Sequence, residues 1–179
     1  MAADASLPGL LLWSLPAMFV LHDAEEALLL PSWLRRNREF LAQRFPRLSR
    51  RLLPRFDAVS PLKFAAMAAE ELALLLAVTL YARFAGGFYP WLALFLAFGV
   101  HLFVHIAQWI AARRCVPAGA TSPVYLLYWG WGLCLLIDSR LFTLREFLLC
   151  GAAGCAAAAV NLLFLHRLAA KPAARAQGC

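Results

Sequence analysis

Residues 88–112, FYPWLALFLAFGVHLFVHIAQWIAA, lie in a stretch with no formal charge between Arg83 and Arg113. At roughly 1.5 Å per helical residue, a run of this length crosses a hydrocarbon layer of about 30 Å. It predicts a membrane span. Gly86-Gly87 and Pro90 predict a tight turn before it, and Cys115 to Pro123 a Pro/Gly turn after it. Working outward, further apolar runs cover residues 8–30, 61–81, 124–138 and 147–165, which makes five spans.

The composition agrees. The chain of 179 residues is 63% hydrophobic and 15% charged, with a mean hydropathy of +0.70. Soluble domains are about half apolar and about a quarter charged, and a disordered chain would be far more polar. Five spans use on the order of 100 residues. The expected architecture is therefore all-α, a single polytopic helical bundle over residues 1–179. No basic stretch precedes the first apolar run, so a cleaved signal peptide is not expected.

A net charge of +7 raises the question of nucleic acid, but the basic residues sit between apolar runs, as topology determinants do. With the N-terminus outside, the inner side holds Arg35, Arg36, Arg38, Arg44, Arg47, Arg50, Arg51, Arg55, Lys63, Arg113, Arg114, Arg167, Lys171 and Arg175. The outer side keeps Arg83, Arg140 and Arg145. This bias predicts N-terminus out, C-terminus in, the plasma (inner) membrane, and basic loops in the cytoplasm. Nucleic-acid binding is not expected.

Between spans one and two, Leu34, Leu41, Phe45, Leu48, Leu52 and Phe56 recur near helical spacing within a basic segment. Pro31 and Trp33 mark the interface. Pro46 and Pro54 are expected to break the segment into short amphipathic helices on the membrane surface. The cysteines Cys115, Cys134, Cys150, Cys155 and Cys179 are odd in number and form no CxxC pair. They predict neither a disulfide framework nor a zinc knuckle.

The polar residues inside these spans carry the functional signal. Asp23, Glu25, Glu26, Glu70, Glu71, His22, His101 and His105 all fall at membrane depth, where one acidic residue costs roughly 2.5–3.5 kcal/mol on insertion scales. His22, Glu25 and Glu26 stand at i, i+3 and i+4, and His101, His105 and Gln108 at i, i+4 and i+7, each set on one helical face. Counted from the cytoplasmic helix ends at 1.5 Å per residue, His22, Glu26, Glu70, His101 and His105 lie roughly 6–16 Å deep. Three helices thus bring polar groups to one layer. Inward-facing histidines and carboxylates are the ligands of bundle metal sites, and zinc accepts such mixed donors while keeping a position open.

The candidate ligands are His22, Glu25, Glu26, Glu70, His101 and His105, around one or two divalent ions, zinc or iron. Glu26 and Glu70 are the candidate proton-transfer groups. Glu70 is preferred to Glu71 because it shares a face with Ala66, Ala73 and Ala77. Gln108, Asp23, Glu71 and Asn161 are expected to support the ligands, Asn161 alternatively serving as interhelical glue. Tyr125, Tyr128, Trp129 and Trp131 are expected in an aromatic interface belt, with a ring alternatively lining a substrate pocket. Asp138 and His166 are expected at the boundaries.

The segment from Leu21 to Leu28, LHDAEEAL, resembles the signature of the HXXEE-domain membrane proteins, a family without an assigned activity. His101, His105 and Gln108, followed by Val116-Pro117-Ala118-Gly119-Ala120-Thr121, are similar to that family's histidine helix and its Pro-Gly-x-x-Thr turn, with the departure that Ala118 stands between Pro117 and Gly119. The resemblance spans roughly residues 12–121. It implies that these residues act together and supplies no reaction.

Three functions fit the pattern. The first is a membrane-embedded metal-dependent enzyme acting on a lipid or isoprenoid-like substrate, with hydrolysis preferred to di-iron oxygen chemistry. The second is a metal-free acid/base isomerase or cyclase using the same glutamates, with Trp109, Trp129 or Trp131 facing a carbocation. The third is a non-enzymatic ion- or metal-binding membrane protein. The outer half of the bundle offers few polar groups, which counts against transport.

Overall fold

The computed structural model describes residues 9–57, 59–119 and 121–169. Pro8, Ala120, Lys171, Arg175 and Cys179 lie outside the described residues. The described residues form six helices: α1 (Gly9–Arg44), α2 (Pro46–Asp57), α3 (Pro61–Ala85), α4 (Phe88–Ala112), α5 (Ser122–Asp138) and α6 (Leu144–Ala169). Three stretches, Leu62–Ala85, Phe88–Ala112 and Leu144–Leu168, are long and apolar enough to cross a bilayer. This is the make-up of a membrane protein. α1 differs because Asp23, Glu25 and Glu26 interrupt its apolar half, and α5 because it has only 17 residues.

Local sequence sets the helix ends. Ser60 caps α3 by accepting from the Lys63 N–H at 3.3 Å, and Gly86 closes it with a φ of +71°, a left-handed cap that glycine adopts without a Cβ penalty. α6 begins with a capping box, in which the Thr143 N–H donates to Glu146 at 2.7 Å and the Glu146 N–H donates to Thr143 Oγ1 at 3.3 Å.

α4 runs through the middle of the bundle and packs on α1, α3, α5 and α6. Its buried stripe of Trp91, Phe95, Phe98 and Leu102 meets Leu11, Leu12 and Leu15 of α1 and Leu136 of α5. The same stripe continues into His105. Trp91, Phe95 and Trp129 stack in series, at 5.2 and 6.0 Å between ring centroids. In lipid, helices associate through close packing, since their apolar faces gain little over lipid contact. Gly154 lets α6 approach the α4 backbone so closely that an added Cβ would stand 2.0 Å from the Ala93 carbonyl oxygen. Gly154→Ala is expected to destabilise the bundle by about 1–3 kcal/mol, read as a lower unfolding midpoint in detergent. Gly130→Ala, with no atom within 4 Å of the added carbon, is not expected to lower it.

Contacts define two ends. At one, Trp33 meets Cys115, Phe56 meets His166, and Met67 meets Leu165. At the other, Tyr89 meets Phe142 and Glu146.

The basic segment departs from its sequence reading. α1 does not stop at Leu30 but runs through Pro31 to Arg44. A proline removes a single N–H from the ladder, and Ser32 and Asn37 add side-chain bonds back to the Leu29 and Trp33 carbonyls at 3.0 and 2.9 Å. Pro46 does mark a break, since α2 begins there, while Pro54 lies inside α2 without ending it. Ser49 Oγ donates across the break to the Leu41 carbonyl at 2.7 Å. Arg38 also holds α1 to α2, donating twice to Asp57 at 2.9 Å. That hydrogen-bonded guanidinium keeps the Asp57 carboxyl below the usual carboxylate range. The link is therefore complete at neutral pH and is lost as pH falls through that lowered value.

Candidate metal centre

α1 and α4 bring His22, Glu26, His101 and His105 together. Each offers one donor atom, and the four donors lie within 4.8 Å of one another. Nε2 of His101 and Nε2 of His105 are 3.0 Å apart, and the Glu26 carboxylate is 3.7 Å from His105 Nε2. The His22 ring stands 5.2 Å from that of His101 and 5.0 Å from that of His105. One-turn spacing aligns the two α4 imidazoles, and the i, i+4 spacing of His22 and Glu26 presents both from one face of α1.

His22 identifies what this group lacks. The residue is 0% exposed, and among the described residues neither of its ring nitrogens has a hydrogen-bond partner. A neutral imidazole carries one N–H and one lone pair, and leaving such groups buried and unmet costs roughly 1–3 kcal/mol. Phe98 and Tyr125 close on the ring edge-to-face at 5.8 and 5.5 Å and offer it no bond. Buried Nδ1 of His105 also lacks a hydrogen bond of good geometry, although Gln108 one turn on interacts with that ring.

These donors fit a metal ion. Zinc bonds of about 2.0–2.1 Å place neighbouring ligand atoms of a tetrahedron roughly 3.3 Å apart. The 3.0 Å separation of the two α4 nitrogens is close to that edge. The set of three imidazoles and one carboxylate can hold a single ion.

Other sequence candidates are placed differently. Glu25 turns to the α4–α5 turn, accepting from the Ala118 N–H at 3.2 Å and from the Thr121 hydroxyl. Glu70 accepts from Asn161 Nδ2 at 3.0 Å and ties α3 to α6. Neither belongs to the four-residue group. Glu71, the less favoured of the pair, is the α3 carboxylate that interacts electrostatically with both Asp23 and Glu26. Asp23 also lines a cavity of about 210 Å³ between α1 and α3, otherwise formed by apolar side chains such as Phe19, Ala27, Ala68 and Leu72. Asn161 bonds Glu70 and serves the α3–α6 contact. Tyr125 packs on His22, whereas its sequence reading assigned it to the interface belt. Thr121 went unrecognised as a partner of Glu25; its place in the Pro-Gly-x-x-Thr turn was the available signal.

Residues 13–131 match the family model described as "Protein of unknown function with HXXEE motif". The chain belongs to the HXXEE family. Among curated proteins and solved structures, none matches it. The matched region contains all four residues of the group together with Glu25 and Thr121, and it ends within α5. In this HXXEE protein the motif divides its work: its histidine and second glutamate join the imidazole cluster, and its first glutamate grips the turn.

Proposed function

We propose that this HXXEE protein is a membrane-embedded, metal-dependent enzyme, hydrolytic in type, acting on a lipid or isoprenoid-like substrate. The observation that carries the metal reading is His22, wholly buried among histidines with both nitrogens unmet. A cation accepting a nitrogen lone pair supplies one of the two missing partners. A single ion, zinc ahead of iron, is favoured over a di-metal centre because, among the described residues, one carboxylate joins the donors; bundle di-iron sites draw on several. The metal would contribute Lewis acidity. Phe98 and Tyr125 close on His22 and exclude water around it. The cavity between α1 and α3 supports lateral entry of a lipophilic molecule, with Asp23 as its polar contact.

In this reading α1 and α5 complete five crossings. Arg83, Arg140 and Arg145 follow the end at Tyr89, while Arg35, Arg36, Lys63, Arg113 and Arg114 follow the end at Trp33. This supports N-terminus out, basic segments in the cytoplasm, and residence in the plasma (inner) membrane. One specific observation favours metal-free acid/base catalysis as the second reading: Asp23, Glu26 and Glu71 are three interacting carboxylates, of which Asp23 lines that cavity.

Titration with zinc separates the two. The detergent-solubilised protein at pH 7 is expected to gain thermal stability, by about 2.7 kcal/mol at a hundredfold excess over Kd. The gain should fall as pH is lowered, because protons compete for the imidazoles. No shift with zinc, iron or manganese would leave the acid/base reading.

A further inference from the structure

The turn between α4 and α5 is packed as interior. Val116, Pro117, Ala118 and Gly119 are buried, and Ala118 has no exposed surface although its φ is +60°. Non-glycine residues seldom hold that left-handed conformation without something to fix it. Glu25 supplies the restraint. One of its oxygens takes the Ala118 N–H at 3.2 Å and the other takes the Thr121 hydroxyl.

The rest of α1 holds the same turn. The Trp33 indole N–H donates to the Cys115 carbonyl at 2.6 Å. The Arg114 guanidinium donates to Asn37 at 3.1 Å and lies 4.0 Å from the Phe40 ring centre. These contacts need α1 to continue past Pro31, as it does. Beyond the turn, Ser122 is fully buried and Tyr125 reaches His22. Glu25 stands three residues after His22, so one turn of helix fixes the latch relative to the imidazole beneath it.

We infer that Glu25 is a positioning residue: it latches Ala118 and Thr121 to α1 one helical turn from His22, and so holds Tyr125, near the start of α5, against that imidazole. The latch stands on its own geometry, and its bearing on a bound ion rests on the metal reading above. The motif's first glutamate then positions the wall of the centre, and its second serves the centre.

Hydrogen exchange and zinc release test this on the full chain in detergent, with Glu25→Ala and Thr121→Val beside the wild type. Both variants are expected to speed amide exchange at Ala118, Gly119, Thr121 and Ser122 at least tenfold, leaving α3 and α6 unchanged. Both should keep the wild-type zinc equivalent and release it faster to an excess of chelator. Unchanged exchange across the turn in Thr121→Val, or in a folded Glu25→Ala, overturns the latch. So does loss of zinc stoichiometry in Glu25→Ala alone, which makes Glu25 a ligand. Should the wild type bind no zinc, the exchange arm still decides the latch, and the metal reading fails separately.

Discussion

His22→Leu is expected to make the metal-free protein more stable while abolishing metal binding. His22 is 0% exposed and meets no hydrogen-bonding partner at either nitrogen, so removing its polar atoms recovers roughly 1–3 kcal/mol of desolvation. Leucine is of similar size and suits the surrounding Phe98 and Tyr125. A residue that lowers the stability of its own fold is retained at sites where function requires it. The measurement is the unfolding midpoint of chelator-treated protein, followed by zinc titration of the same variant. A large loss of stability in the metal-free His22→Leu protein would mean that the imidazole is a satisfied packing element. The site would then lose its main support.

The second large effect separates glutamates that sequence alone treats as equals. Glu26→Gln is expected to weaken zinc binding by at least 10–100-fold, the range already seen when a mere supporting contact of a metal site is removed. Its carboxylate lies 3.7 Å from His105 Nε2 and is the one carboxylate among the four donors. Glu70→Gln is expected to bind zinc like the wild type, because the amide oxygen still accepts from Asn161. Competitive titration against a chelating dye reads both. Equal losses in the two variants, or a loss in Glu70→Gln alone, would contradict the assignment of Glu26.

Hydropathy made the long apolar helices legible. The uncharged run before Arg113 becomes α4, and the Gly86-Gly87 turn falls where glycine provides the left-handed cap. Helical rise also put His22, Glu26, His101 and His105 in one layer, and their donors do lie within 4.8 Å of one another. What rise cannot give is rotation. Glu70 and Glu71 differ by about 100° around α3, and which one faces α1 depends on how α3 turns against its neighbours. Alanines on the Glu70 face suggested a packing side, yet Ala66, Ala73 and Ala77 are exposed, and Glu70 itself bonds Asn161 on α6, outside the four-residue group. Glu25 illustrates the same gap. Its partner Thr121 lies 96 positions away on a buried turn, a pairing no local periodicity encodes. Pro31 misled in a different way: its missing N–H suggested an end at the interface, yet α1 continues to Arg44 and so reaches Cys115 and Arg114.

The central claim is that His22, Glu26, His101 and His105 form one metal centre. Metal content by mass spectrometry, on protein purified without chelator and again after reconstitution, tests it most directly. The wild type is expected to hold one equivalent of zinc or iron. His105→Ala and His22→Leu should hold none while remaining folded, and Glu25→Ala should hold the wild-type amount. A wild type that takes up no zinc, iron or manganese under either condition, or a His105→Ala protein that keeps its full equivalent, would contradict the claim.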